Sequence, residues 1–90
     1  MIRIPIDYNI IGPRIAQARR AQNMSKEEFC NKLESAGIHM VPYVLSLIEN
    51  QEAQIFDYQM PAFAKALGIS IDWLFEDLNN VKPYRRSSYE

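Results

Sequence analysis

The chain has 90 residues, 48% of them hydrophobic, with one cysteine and one histidine, and this composition predicts a single small globular domain. It contains no uninterrupted apolar run of about 18 residues, no secretory leader and no Cys/His cluster with metal-ligand spacing. We therefore expect no membrane span, no export and no metal or other cofactor, and a lone cysteine that cannot form an internal disulfide agrees with a cytoplasmic protein.

Charge is distributed unevenly, although the net charge is only −1. Residues 1–20 have a balance of +3, residues 21–78 of −6 and residues 79–90 of +2. Nucleic-acid-binding domains are usually basic, because each phosphate contact needs a cation. This chain is basic only at its two ends.

The pattern divides the chain into an arm, a helical domain and a tail. Residues 1–9 form the arm, where apolar and polar side chains alternate and Pro5 argues against a central strand. Residues 10–78 carry helical periodicity. Residues 79–90, with one proline and two serines, are typical of a polar, basic, solvated tail. Together these features predict an all-α bundle of five short helices.

Capping residues set the expected limits of the first two helices. Asn9 can cap a helix that ends near Gln22. The second helix opens with a capping box, Ser25 at the N-cap and Glu28 at N3, and stops near Gly37. The residues expected to face inward are Ile11, Ile15, Ala18, Phe29, Cys30 and Leu33.

The third predicted helix, residues 42–50, has two faces of different chemistry. One face repeats apolar residues at helical spacing, namely Val41, Val44, Leu45 and Ile48. The opposite face carries Tyr43, Ser46, Leu47 and Asn50. A helix that reads DNA is expected to show Arg, Lys, Gln or Asn there, because these side chains pair with base edges. Asn50, and weakly Ser46, meet that expectation.

Two shorter helices complete the predicted bundle. Asp57 can cap a fourth helix that ends at Gly68, and Ser70 can cap a fifth that runs from Ile71 to Leu78. The side chains expected in the core of this half are Met60, Phe63, Ala64, Leu67, Ile71 and Leu74.

Four fragments stand in a fixed order along the domain. They are I-G-P-R-I-A-Q-A-R-R at 11–20, S-K-E-E-F-C at 25–30, L-S-L-I-E-N at 45–50 and A-K-A-L-G-I-S-I-D-W-L-F at 64–75. Together they resemble the Cro/repressor-type (Xre-like) helix-turn-helix family. The resemblance implies a five-helix bundle of the lambda-repressor-like DNA-binding type, whose third helix enters the major groove of duplex DNA. It also implies a cytoplasmic transcription regulator that acts as a homodimer.

The resemblance assigns roles to individual residues. Arg19 and Glu49 match a pair that joins the first and third helices, and a guanidinium can lock two helices through a bidentate bond. Lys26 matches a phosphate-binding position at the start of the second helix. The residues expected to contact DNA are Lys26, Arg14, Tyr43, Ser46, Leu47 and Asn50, with backbone contacts added by the arm around Arg3 and by the tail.

Other residues depart from the family pattern. Pro42, Tyr43 and Leu47 stand where relatives carry polar base-reading side chains, and the acidic Glu52 stands where relatives often carry basic residues. The connection between the second and third helices is also about five residues longer than in a tight helix-turn-helix. The alternative function is a protein-interaction module of the same fold, with Tyr43 and Leu47 as anchors in a partner's groove.

Apolar surface outside the core is expected to support the homodimer. It lies around Ile55, Phe56, Trp73 and Phe75. Cys30 is expected to be a packed, unreactive thiol rather than a redox sensor. No Ser/His/Asp, Cys/His or paired-carboxylate arrangement has the partners that catalysis needs, so we do not expect an enzyme.

Overall fold

The computed structural model describes residues 8–76, which form five α-helices and, within that range, no β-strand. The helices are α1, Gly12–Ala21; α2, Lys26–Ser35; α3, Pro42–Glu49; α4, Met60–Leu67; and α5, Ile71–Phe75. The all-α prediction is confirmed for this range, whereas arm residues 1–7, with Arg3, and the tail lie outside it. None of the described helices is long and apolar enough to cross a membrane.

The core is built from apolar side chains of all five helices. The large side chains that are almost completely shielded from solvent are Ile15, Phe29, Leu33, Leu45, Ile48, Phe63 and Leu74. The rings of Phe29 in α2 and Phe63 in α4 pack with centroids 6.0 Å apart. Every residue expected to face inward in the first two helices is buried. Burial of each large side chain stabilises the fold by about 1.5–3 kcal/mol, so this cluster holds the helices together.

Side-chain caps fix the starts of α2 and α5. The Ser25 hydroxyl accepts the Glu28 N–H at 3.0 Å, and the Glu28 carboxylate accepts the Ser25 N–H at 2.8 Å. At α5 the Ser70 hydroxyl accepts the Trp73 N–H at 3.0 Å. A cap of this kind stabilises a helix by about 1 kcal/mol. Both predicted caps are therefore confirmed.

The start of α4 differs from the prediction. Asp57 does not cap the helix but opens a 3₁₀ turn, Asp57–Gln59, that leads directly into it. The Phe56 N–H donates to the side-chain oxygen of Gln59 at 2.9 Å, so the Gln59 side chain reaches back across this turn, and no side chain caps α4 itself. Met60, expected in the core, is half-buried, whereas Phe63 is fully buried as predicted.

The helix α5 is shorter and less buried than expected. Ile71 is 39% exposed, because Leu74 is the side chain that this one-turn helix directs into the core. The helix ends at Phe75, and Leu78 lies outside the described residues. The contacts that attach α5 to the bundle therefore come from few residues.

The helices α1 to α4 end in the same way, with the next residue or the one after it in the left-handed conformation. After α2 and α4 that residue is a glycine, Gly37 with φ 92° and Gly68 with φ 69°. After α1 and α3 it is Asn23 with φ 55° and Gln51 with φ 65°. This conformation costs a non-glycine residue about 1–2 kcal/mol. Gln51 therefore needs a compensating contact.

Candidate nucleic-acid interface

Arg19, near the end of α1, bonds α3 and the segment just before α2. Its Nε and Nη2 donate to the two carboxylate oxygens of Glu49 at 2.7 and 3.0 Å, and its Nη1 donates to the Met24 carbonyl at 2.8 Å. Arg19 is 7% exposed and Glu49 6%. A bidentate pair of this kind is strong when both charges are buried and fully bonded. The structure contains the link between α1 and α3 that the resemblance implied.

The Arg19 contacts also fix the positions of Met24 and Glu49 relative to each other. Hydrogen bonding to Glu49 raises the pKa of the Arg19 guanidinium, so the group remains a cation at any physiological pH. One guanidinium holds Met24, just before α2, and Glu49, at the end of α3. Lys26 lies two positions after Met24, and Asn50 lies one position after Glu49. The start of α2 and the end of α3 therefore lie side by side.

The segment before α1 closes over the C-terminal end of α3. The Asn9 amide nitrogen donates to the Ile48 carbonyl at 3.1 Å and to the Ala53 carbonyl at 2.8 Å. Its amide oxygen accepts the Gly12 N–H, the first of α1, at 2.6 Å. Asn9 thus bonds the start of α1, as expected, although the N-cap position itself is Ile11. Both of its donors serve α3 and the loop that follows.

The helices α1 and α3 approach each other closely at this junction. A Cβ at Gly12 would collide with the Ile48 carbonyl oxygen, so only glycine fits there. Gln51 bonds the same segment from the other side, because its Nε2 donates to the Asn9 carbonyl at 2.9 Å. The Gln51 carbonyl in turn accepts the Tyr8 N–H at 3.1 Å. These bonds compensate the left-handed backbone of Gln51.

Tyr43, Ser46, Leu47 and Asn50 form the α3 outward face. Tyr43 is 72% exposed and Asn50 is exposed, whereas Ser46 and Leu47 are half-buried. The Ser46 hydroxyl donates to the Pro42 carbonyl at 3.1 Å, which leaves its oxygen free only to accept. The four expected contact residues on α3 therefore share one face, which contains no cation.

The other side of α3 carries the predicted apolar stripe with one exception. Leu45 and Ile48 are fully buried and Val44 is half-buried. Val41 is 40% exposed, because it is the N-cap residue and its backbone is extended, with φ −118° and ψ 152°. The burial of Leu45 and Ile48 fixes which side of α3 faces solvent.

Arg14 does not join the α3 outward face. Its guanidinium lies 3.5 Å from the Trp73 ring centroid and donates to the Trp73 carbonyl at 3.2 and 2.8 Å. One nitrogen is 3.7 Å from the Glu76 carboxylate, and the Arg14 side chain is only 13% exposed. These contacts occupy the Arg14 guanidinium within the fold, and the expected phosphate contact of Arg14 stays a prediction. A cation stacked on an indole and bonded to the last turn of α5 attaches that helix to α1.

The described part of the chain is acidic. Residues 8–76 carry six basic and eight acidic side chains. Arg14 and Arg19 are engaged in internal contacts. The other basic side chains in this range are Arg20, Lys26, Lys32 and Lys65. Lys26, the first residue of α2, is half-buried, and its neighbours Glu27 and Glu28 are both acidic.

The surface expected to support a dimer is only partly exposed. Trp73 is covered by Arg14, and Ile55 and Phe75 are half-buried. Phe56 is 49% exposed and stacks on Tyr58, which is 67% exposed, with ring centroids 5.9 Å apart. A shallow groove of about 200 Å³ beside Phe56 is lined mainly by Met40, Val41, Val44 and Ile48. Of the four residues expected to support a dimer, Phe56 is thus the exposed one, and Tyr58 extends its surface.

Cys30 is buried in the core. Burial, followed by the negative charges of Glu27 and Glu49, raises the pKa of its thiol. A raised pKa lowers the thiolate fraction and with it the reactivity of the thiol. Within residues 8–76 no group of three His, Cys, Asp or Glu side chains is placed to hold a metal ion.

Comparison with known proteins adds no named relative to this geometry. No protein-family model, curated protein or solved structure matches the chain. The helix-turn-helix resemblance therefore rests on the four sequence fragments.

Proposed function

We propose that the protein is a DNA-binding transcription regulator of the lambda-repressor-like, helix-turn-helix type, which reads duplex DNA with α3 and Asn50, residues 42–50. The observation that best supports this is the Arg19–Glu49 pair. It ties α3 to α1 and to the start of α2 while leaving the α3 outward face free. The major groove, about 12 Å wide, admits one α-helix presented in this way.

Each residue of the interface has a contact that its chemistry allows. Asn50 is the direct base reader, because its amide can bond both the N6 and N7 edges of adenine. Leu47 offers apolar contact to a thymine methyl, and the Ser46 oxygen accepts a hydrogen bond. Lys26 and the first N–H groups of α2 contact phosphate, and Tyr43 donates to a phosphate or a base edge.

The scarcity of free cations predicts modest affinity. Each neutralised phosphate contributes about 0.9 to the slope of log K against log salt, so few contacts give a shallow slope. Arg3, Lys82, Arg85 and Arg86, outside the described residues, are proposed to add further backbone contacts. A homodimer, formed through the exposed pair Phe56 and Tyr58, would read two half-sites about 34 Å apart, or a multiple of this distance.

Anisotropy titrations of a labelled random-sequence duplex at low salt test this function. Wild type is expected to bind at micromolar concentration. Tyr43→Glu puts a negative charge on the α3 outward face and should weaken binding at least about tenfold. Gln17→Glu adds the same charge on α1, beside Arg14, and should leave binding unchanged. Absence of wild-type binding, or an equal effect of both variants, would contradict the proposal.

A second candidate function is a protein-interaction module. It is favoured by the aromatic and aliphatic chemistry of Tyr43 and Leu47, which lie four residues apart and so project side by side from α3. It is also favoured by the acidic charge of residues 8–76. In this alternative Tyr43 and Leu47 enter an apolar pocket of a partner and carry most of the binding energy.

A further inference from the structure

We propose that Asn9 and Gln51 form a positioning clasp, which sets the orientation of Asn50 towards the bases. This inference rests on the proposed DNA-binding function. Gln51 contributes two bonds to the clasp, because its carbonyl accepts the Tyr8 N–H and its Nε2 donates to the Asn9 carbonyl. Asn9 contributes two more, because its amide nitrogen donates to the carbonyls of Ile48 and Ala53. None of these groups belongs to the α3 outward face, and Asn50 is the residue of that face that stands next to the clasp in the chain.

The bonds of Asn9 span the turn that carries Asn50. Its amide nitrogen holds the Ile48 carbonyl, two residues before Asn50, and the Ala53 carbonyl, three residues after it. Its amide oxygen is bonded to Gly12, so the same side chain is anchored on α1. The turn is therefore held against α1 at both of its ends.

The backbone of Gln51 is an independent observation. Gln51 has a φ of 65°, in the left-handed region that Gly37 and Gly68 occupy after α2 and α4. Glycine would adopt this conformation without strain, so helix termination alone gives no reason for glutamine. Strained residues persist where the surrounding contacts hold them, and they concentrate at functional sites. The contact that glutamine adds here is the bond to Asn9.

A base contact demands accurate placement, because a bidentate amide pair must be held within about 0.5 Å of its productive position. Phosphate contacts through flexible cations tolerate larger displacements. A looser turn after α3 should therefore reduce discrimination between sequences while leaving the number of phosphate contacts unchanged. This difference separates a positioning residue from one that only stabilises the fold.

The decisive variant is Gln51→Gly, which removes the bond to Asn9 and relieves the backbone strain together. Its melting temperature should equal or exceed that of wild type. The wild-type protein is first used to select a preferred duplex from a random pool. The ratio of the affinity for this selected duplex to the affinity for random duplex should fall about tenfold in the variant, which is the order of one lost base contact. The salt slope should not change. A variant that keeps the wild-type preference would overturn the proposal.

Asn23→Gly is the matched control. Asn23, after α1, also has a left-handed backbone, with φ 55°, so the substitution relieves backbone strain at a residue that contributes no bond to the clasp. It should leave the preference unchanged.

Asn9→Asp keeps the acceptor for Gly12 but removes both donors, and it should reproduce the loss of preference seen with Gln51→Gly. Wild-type preference in Asn9→Asp would also overturn the proposal.

Hydrogen exchange in the free protein separates failure of the clasp from failure of the DNA-binding function. The amides of Asn50, Gln51 and Glu52 bond to Ser46, Ile48 and Leu47 at 2.7–3.0 Å and should exchange slowly. In Gln51→Gly they should exchange about tenfold faster than in Asn23→Gly, because local opening is less costly. If wild type binds no DNA but this acceleration is seen, the clasp stands and the proposed function fails. Unchanged exchange would overturn the clasp whether or not DNA binds.

Discussion

The two faces of α3 differ in what determines their residues. On the inward side Leu45 and Ile48 are fully buried and Glu49 is 6% exposed and bonded to Arg19. On the outward side Tyr43 is 72% exposed and no core contact requires a phenol there. Packing and ion pairing account for the inward residues, whereas burial in the fold does not account for the tyrosine on the outward side. Stability and function should therefore be separable by mutation within one helix of eight residues.

The largest effect is expected on the inward side, from Glu49→Ala. The substitution leaves the buried Arg19 cation with only the Met24 carbonyl as a partner, which should cost about 3 kcal/mol of unfolding free energy. Because 1 kcal/mol shifts the midpoint of a domain of this size by about 4–8 °C, thermal denaturation followed by circular dichroism should show a fall of more than 10 °C.

The control for this prediction is Glu34→Ala. Glu34 lies 3.4 Å from His39, but the two side chains are 64% and 80% exposed. An exposed pair contributes little, so the change should stay within about 0.5 kcal/mol. Equal effects at Glu34 and Glu49 would mean that burial does not distinguish these two side-chain contacts.

The next effect concerns the approach of α1 to α3 at Gly12. Helix propensity alone favours Gly12→Ala by about 1 kcal/mol. The added Cβ, however, would meet the Ile48 carbonyl, a backbone atom that cannot move aside alone. Overpacking of this kind costs about 1–3 kcal/mol or more, so we expect a net loss near 2 kcal/mol in urea denaturation. Gln17→Ala on the exposed side of α1 should be neutral or slightly stabilising, and stabilisation by Gly12→Ala would contradict the close approach.

A smaller effect is expected from Arg14→Ala at the junction of α1 and α5. Loss of the stacking and of the bonds to Trp73 should cost about 1–2 kcal/mol. Trp73 is the only tryptophan of the chain, so its fluorescence reports directly on α5 and should shift to longer wavelength. The slope of log K for DNA binding against log salt should stay the same. A slope reduced by about one unit would show that Arg14 contacts a phosphate. Arg20→Ala, at an exposed position of α1, is the stability control.

The fold was largely predictable because its determinants are local. The Ser25–Glu28 capping box and the Ser70 cap lie within one turn of the helices that they begin. The predictions that failed, namely the cap at Asp57 and the burial of Val41, Met60 and Ile71, concern helix ends. There a 3₁₀ turn or the docking of a one-turn helix decides the outcome, and neither is specified by nearby residues.

The site was predictable only in part, because its remaining contacts join distant residues. The bonds of Arg14 to Trp73 span 59 positions and that of Gln51 to Asn9 spans 42. No periodicity or capping motif encodes such pairs. The signal that was available is Gly12, because a glycine in an early helical turn indicates close backbone approach. It points to the junction of α1 and α3 but not to the residues that hold it.

The smallest effect on stability, and the most informative one on function, is expected from Leu47→Gln on the α3 outward face. Leu47 is half-buried, so unfolding free energy should change by about 1 kcal/mol or less. If α3 lies in the major groove, glutamine replaces an apolar contact by one that can read adenine. The variant should then still bind duplex DNA, with the same or a changed sequence preference. If Leu47 and Tyr43 instead fill a partner's dry pocket, a buried amide without a partner should weaken that complex about 30-fold or more. Two experiments measure both outcomes, namely anisotropy with duplex DNA at low salt and affinity capture from lysate. Each is carried out with wild type, Leu47→Gln and Gln17→Ala. DNA binding retained by Leu47→Gln supports the regulator, whereas no DNA binding by any of the three proteins, with a captured partner lost only in Leu47→Gln, establishes the interaction module in its place.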